Sequence, residues 1–364
     1  MAALTEMYCS VAGAGAHDGT SAGAAWTFAE AIAGAAAGQL VNIISGSYST
    51  AAVTFTAGTA TNAVVFRGYA SSIGDLDIPT FATNGSLVTT GFPVITASAS
   101  LIPSPFCTLQ NLVITSGLSA DTMLTTTNDN NTLINCRVVN TANNSAARAM
   151  RLDNTNTLIC CEFECTGAAH ASVLDFDSTS YLFGCRIKGV SASFLVTGEA
   201  AIFEKCTFVG NAANSGLQIQ VMSDTSLCVV SHCTFQNLVK AIEMIDAAIA
   251  QKLVLISNHV TDCGTYLSNL RSATSDLCTY EIRNRTRNNT TPRGSGIQIA
   301  GLAGEVTTAG TIAEDYTDVS TYNYYLVAAA PGRNVGVMPY TDIGALQRVE
   351  PTGGAGTVIH YTFQ

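Results

Sequence analysis

Charge is scarce in this sequence. Only 12% of its 364 residues are charged, 16 basic against 26 acidic, for a formal net charge of −10. An acidic balance spread along the chain argues against a nucleic acid partner, which calls for a basic face. Aromatic residues make up 7%, with a single tryptophan, while hydrophobic residues reach 47%. Low charge with that much apolar content excludes a disordered chain. The apolar residues come in short runs, so no membrane span is expected. Twelve cysteines are present, but no CxxC pair. Apart from the adjacent Cys160 and Cys161, the closest spacings are Cys161 to Cys165 and Cys228 to Cys233, neither a common zinc pattern. The histidines (His17, His170, His232, His259, His360) are scattered and form no nucleophile grouping. The opening "MAALTEMYCS" lacks the basic and apolar segments of a signal peptide. The expectation is therefore assembly in a cytoplasm, or a secreted protein whose signal has been removed.

What the chain has instead is a repeat. "NTLINCRVVN" begins at Asn131, and 25 residues on (156−131 = 25) stands "NTLICCEFEC"; "YLFGCRIKGV", "AIFEKCTFVG" and "CVVSHCTFQN" follow. Aligning the cysteine that precedes a polar and then an apolar residue puts Cys107, Cys136, Cys161, Cys185, Cys206 and Cys233 in one column, with Asn258 next. The steps are 29, 25, 24, 21, 27 and 25 residues, a period near 25 whose irregularity belongs to loops. Short alternating runs of Val, Ile, Leu and Phe, broken by Asn, Asp, Gly, Ser and Thr, read as strands. No copy holds the i, i+3, i+4 pattern over ten residues, which excludes helical solenoids. Three short strands per copy make one coil of a parallel β-helix, where like residues stack about 4.8 Å apart. The cysteine column is then an internal ladder of free thiols acting as small hydrophobes.

On these motifs the chain resembles the right-handed parallel β-helix superfamily of pectate lyases, polygalacturonases and phage tailspikes. Residues 24–49, "AAWTFAEAIAGAAAGQLVNIISGSYS", are similar to the superfamily's N-terminal cap, an amphipathic helix (Trp26, Phe28, Ile32) followed by a strand and a Gly46-x-Tyr48 turn. Residues 341–348, "TDIGALQR", resemble the Asp-Ile-Gly-Ala signature that closes such helices. The resemblance implies a capping segment over residues 1–39, a β-helix over 40–348 and a C-terminal extension over 349–364. It implies fold more than function, because this architecture carries several chemistries and purely structural roles.

Candidate chemistry is sparse. Eight residues before the ladder cysteine stand Asn128, Asp153 and Asp177, with Asp175 two residues before the last. Carboxylates one coil apart lie about 5 Å from each other, near the retaining-glycosidase separation. The same group suits Ca²⁺ beside an acidic polysaccharide, although no cofactor is otherwise expected. The competing reading is a turn row, since Gly198 and Thr225 continue the column and Asn and Asp tolerate such bends. Arg186-Ile187-Lys188 matches the polygalacturonase triplet, but that family's other motifs are missing, so these read as outward strand residues. "RNRTRNNTTPR" puts Arg283, Arg285 and Arg287 on one face of an extended segment, with Arg293 nearby. That patch fits an anionic glycan or an acidic neighbouring subunit, or else a charged edge strand.

Two function classes stay open. One is a non-enzymatic structural or adhesive β-helix of a virion exterior, a decoration, spike or fibre subunit with a surface polysaccharide as possible ligand. The other is a polysaccharide lyase or glycoside hydrolase. The first carries expected partners: virion capsid or tail proteins and further copies of the chain, as a trimer by analogy with β-helical spikes. A secreted or surface location is the alternative. The end, "TVIHYTF", alternates Val358, His360 and Thr362 with Ile359, Tyr361 and Phe363. It reads as a strand with one apolar face, expected at a subunit contact.

Overall fold

The computed structural model describes residues 3–326 apart from 52, 119–121, 127–129, 153–154, 171, 177–179, 191–193, 199–200, 220–226, 245–251, 270–277, 283, 288, 294–298, 304–305, 309–315 and 319–322. Asn128, Asp153, Asp177, Arg283, the closing signature at 341–348 and the extension at 349–364 lie outside the described residues.

The chain winds as a parallel β-helix, and each coil contributes one strand to each of three sheets. In one coil Asn131–Ile134 enters the first sheet, Arg137–Asn140 the second and Arg148–Leu152 the third; Asn156–Ile159 then returns to the first. Asn131 stands in register with Asn156, so this coil is 25 residues long. Among the described residues the sheets hold 12, 11 and 10 strands. Alternation along each strand fills the interior. The first sheet stacks Leu133, Leu158, Leu182 and Phe203 inward. The second stacks Val138, Phe163, Ile187 and Phe208, and the third Met150, Leu174, Val196 and Leu217. All are fully or almost fully buried. Stacking identical coils concentrates apolar contact along one axis, and Phe208 lies flat on Phe235 with centroids 4.4 Å apart.

The corner between the first and second sheets explains the cysteines. It takes two residues, and the first adopts a left-handed conformation: Asn111, Asn135, Cys160, Gly184, Lys205, His232 and Ser257 have φ between +50° and +63°. Each non-glycine there costs about 1–2 kcal/mol, less for Asn. The bent residue still donates its N–H to the next coil, as Asn135 does to Ile159 O at 2.9 Å. The second corner residue is the ladder residue, and its N–H points at the side chain of the ladder residue one coil on. Cys136 N–H meets Cys161 Sγ at 3.5 Å, Cys233 N–H meets Asn258 Oδ1 at 2.9 Å, and Asn258 N–H meets Asn284 Oδ1 at 2.9 Å. From Cys136 to Asn284 the position therefore takes a small side chain that accepts a hydrogen bond and also donates one back. Cys185 donates to Leu158 O, and Asn258 Nδ2 donates to Val230 O. Cys136, Cys161, Cys185, Cys206 and Cys233 are buried free thiols in this single column, as expected.

One member of the aligned column is corrected. Cys107 lies in a first-sheet strand, in register with Val64, and its N–H bonds Asn131 Oδ1. The ladder residue of that coil is Leu112, because Val113 pairs with Arg137. The step then becomes 136−112 = 24, and the anomalous 29 disappears. Cys107 mimicked the motif because Thr108 and Leu109 repeat its polar-apolar order. At the other end the ladder runs one coil further than expected, to Asn284.

The N-terminal cap is a short helix, Phe28–Gly34, opened by a capping box between Thr27 and Glu30. It buries Phe28, Ala31 and Ile32, and the Phe28 ring packs 5.5 Å from that of Tyr48. Thr5–Cys9 pairs in parallel with Gln39–Ile44, so the first sheet begins ahead of the helix. An excursion over residues 70–93 interrupts the coil between Val64–Tyr69 and Val94–Ala97. Asp75 anchors its start by accepting N–H bonds from Ala70, Ser71 and Ser72, with Ser71 and Ala70 foremost in pushing its carboxyl down to about 2. Asp77 is the second anchor, bonded by Gln110, Asn111 and Arg67. The excursion reaches the outer face of the second sheet, where Leu87 N–H donates to Glu162 Oε2 at 2.9 Å.

Candidate functional site

Function on a β-helix has to sit on the outward residues, since the inward ones are committed to the core. Two outward groupings carry most of the described charge.

The first lies on the third sheet. Arg151, Asp175, Thr197, Gln218, Glu243 and Ser268 stand in register on successive strands. Their neighbours Met150, Leu174, Leu217 and Ile242 point into the core, so Arg151, Asp175, Gln218, Glu243 and Ser268 point away from it. Five strand steps make it about 24 Å long. Arg148 Nε meets Asp175 Oδ2 at 2.9 Å, with both side chains partly exposed. Further along, Glu243 is 2% exposed although its row faces outward. Lys240 Nζ contacts its carboxylate, and Ser268 Oγ donates to it at 3.4 Å. Among the described residues of this face, Arg148, Arg151 and Lys240 against Asp175 and Glu243 leave one positive charge, on a chain whose overall charge is −10. Asp175 and Glu243 are three strand steps apart, about 14 Å. That exceeds the roughly 5–9.5 Å that glycosidase carboxylate pairs span, so these two described carboxylates do not form such a pair.

The second grouping lies on the second sheet. Arg137 reaches both Glu162 (3.4 Å) and Glu164 (3.0 Å); Arg186 meets Glu162 at 3.5 Å, and Lys188 meets Glu164 at 2.8 Å. Burial acts to raise the Glu164 carboxyl, but Lys188 and Arg137 outweigh it and hold the group below the ordinary glutamate value. The Arg186-Ile187-Lys188 triplet is thus absorbed in an ion lattice, with Ile187 in the core. The lattice holds three coils and the excursion together.

The basic stretch is divided by the topology. Arg285–Arg287 is an interior strand of the second sheet, between His259–Thr261 and Val306–Thr308. Arg285 is fully buried. Arg293 belongs to the third sheet, in register with Leu267. His232 occupies a corner, with Nδ1 2.8 Å from Ser231 Oγ, whereas His259 lies within a strand.

Of the aspartate candidates, Asp175 is placed on the third-sheet face. Its companions there, Arg148, Arg151, Gln218, Lys240 and Glu243, were not singled out in the sequence. A signal existed for one of them: Arg151 stands ten residues before Cys161, as Asp175 does before Cys185 (161−151 = 10; 185−175 = 10). For Gln218 and Glu243 the offset becomes fifteen (233−218 = 15; 258−243 = 15), because the loop after the third strand lengthens and breaks the alignment.

No family model matches the sequence, and no curated protein matches it. Solved structures do resemble the fold. Pectate lyase Pel9A superposes with a TM-score of 0.54 at 13% identity, covering 96% of this chain and 98% of that one. A pectin methylesterase from Aspergillus niger gives 0.44 at 14% identity, over 94% and 95% of the two chains. The tailspike gp49 of Acinetobacter baumannii bacteriophage Fri1, a capsular polysaccharide depolymerase, gives 0.43 at 11% identity, over 75% of this chain and 57% of that one. At these identities the likeness is one of fold: a parallel β-helix of the pectate-lyase kind.

Proposed function

We propose that this chain is a glycan-binding parallel β-helix that holds an extended acidic polysaccharide along the outer face of its third sheet. The observation that carries this reading is the row from Arg151 to Ser268, straight and about 24 Å long, with Arg148 and Lys240 each three residues before its members Arg151 and Glu243 on the same strands of an acidic protein. Arg148 and Arg151 offer planar donors to sugar carboxylates, and Asp175 accepts from hydroxyls. Sharing its fold with a pectate lyase supports a polysaccharide as the ligand. As its setting we propose the exterior of a virion, as a structural or adhesive subunit attached to capsid or tail. A core of free thiols suits assembly in a reducing cytoplasm.

Binding to a panel of acidic and neutral polysaccharides tests the reading. Replacing one arginine removes a charge-assisted contact of about 1.5 kcal/mol, so Arg151→Ala should weaken acidic glycans roughly tenfold. Equal loss for neutral glycans, or no loss at all, would refute it. Reducing ends and unsaturated products should be read in the same reactions. Turnover that vanishes in Asp175→Asn or Asp177→Asn would make the chain a depolymerase instead.

A further inference from the structure

We infer that the chain beyond Thr308 turns back over the outer face of the second sheet and sets the acidic run Glu314, Asp315 and Asp318 against His259 and Arg285. Thr207, Thr234, His259 and Arg285 stand in one outward row of that sheet, and Val209, Gln236 and Thr261 in the next. The residues between the rows, Phe208, Phe235 and Val260, fill the core. On a bare sheet face an outward side chain meets water, as Ile202 does on the first sheet at 38% exposure. Every one of these second-sheet residues is buried instead, His259, Thr261 and Arg285 completely. They are buried within a single chain, so the layer that covers them comes from the chain itself. Parallel sheets are covered in this way on both faces.

The excursion over residues 70–93 meets the second sheet at Glu162. Arg285 lies five strand steps beyond, past Arg186, Thr207, Thr234 and His259, a distance of about 24 Å. The chain after Val306–Thr308 is better placed. Thr308 stands on the second sheet itself, one step past Arg287. The next strands, Tyr316–Asp318 and Asn323–Leu326, pair antiparallel with each other and join none of the three coil sheets among the described residues. From Thr308 to the end run 56 residues (364−308 = 56), whereas the path from Arg285 back to Thr207 is three steps, about 14 Å, or roughly five extended residues. Charge agrees with this placement. The covered rows hold Arg285 and His259 and no carboxylate, while residues 309–364 carry Glu314, Asp315, Asp318, Asp342 and Glu350 against Arg333 and Arg348, a net −3 (2−5 = −3). A buried guanidinium is tolerated where a carboxylate faces it, and three of these five lie within ten residues of Thr308 (318−308 = 10). The second sheet is thereby closed to ligands, whatever the third sheet binds.

Photo-crosslinking on the intact chain tests the docking, with circular dichroism as the fold control. The photoreactive residue p-benzoylphenylalanine, placed at position 236 and separately at position 209, should join to peptides within residues 309–364. Joining only to peptides of residues 1–308, or to a second 37.8 kDa chain, overturns the inference. Diethyl pyrocarbonate, read by mass spectrometry, tests the charge pairing without a bulky probe. In the full chain carrying Glu314→Lys, Asp315→Lys and Asp318→Lys, the coils should stay folded while His259 reacts roughly tenfold faster than in the wild type. His170, also buried, should stay protected in both. Equal protection of His259 in the two folded proteins overturns the inference, as does a wild-type His259 that reacts as fast as the exposed His17.

Discussion

Substituting Cys185 in three ways separates the roles of the ladder position. Its Sγ accepts the N–H of Cys161 and its thiol donates to Leu158 O at 3.4 Å, in a site 1% exposed. Cys185→Asn keeps both functions, as Asn258 does, and is close in volume, so it should cost under about 1.5 kcal/mol. Cys185→Ala leaves the Cys161 N–H without its acceptor, a loss of about 1–3 kcal/mol. Cys185→Asp is the informative one. A carboxylate accepts from Cys161 but sets its second oxygen against Leu158 O, so the fold retains it protonated. Holding an ordinary aspartate, near 3.9 when unfolded, protonated at pH 7 costs about 1.36 kcal/mol for each of roughly three units, about 4 kcal/mol in all. The folded-state value is raised, so this stability is present below the unfolded value and lost as pH rises. Urea unfolding of the Asp and Asn variants should therefore differ by about 4 kcal/mol at pH 7 and by under about 1 kcal/mol at pH 4. A gap that stays constant between those pH values, or an Ala variant as stable as the Asn one, would refute the ladder mechanism.

The architecture was legible because a β-helix repeats its physics. Each coil must refill the same inward positions, so Leu133, Leu158 and Leu182 recur at the coil spacing. The ladder residue recurs because one backbone N–H per corner needs an acceptor. The misplaced Cys107 shows the limit: a three-residue motif cannot tell a corner from a strand start, whereas pairing of Val113 with Arg137 can. Outward residues obey no such rule. Arg148 and Asp175 meet only because adjacent strands align, and the variable loop after the third strand hides that alignment. The ion lattice was half legible. Arg186 and Lys188 read as outward, but Glu162 and Glu164, one coil earlier in "CEFEC", became their partners only through the register.

Three further outcomes are expected. Asp77→Ala removes the acceptor shared by Arg67, Gln110 and Asn111, so limited proteolysis should cut within residues 70–93 well before the coils; unchanged cutting would contradict the anchoring role. Thr27→Ala deletes the capping box of the N-terminal helix and should lower stability by about 1 kcal/mol in urea. The last concerns His170, which is 2% exposed and packs where a side chain on Gly189 would meet its ring and Leu195. Burial pushes its imidazole down to about 4, so the fold holds the neutral form. Stability from this group is complete above the unfolded value of about 6.5 and is lost as pH falls toward 4. The loss should reach about 2 kcal/mol by pH 5. Glu30 and Asp75, both pushed down to about 2, lose their contributions only below about pH 4.5, because their unfolded values are those of ordinary carboxylates. The interval from pH 7 to 5 therefore separates His170 from them. Urea unfolding of the wild type should show the decline there, and His170→Leu should flatten it; an equal decline in both proteins would assign the acid sensitivity elsewhere.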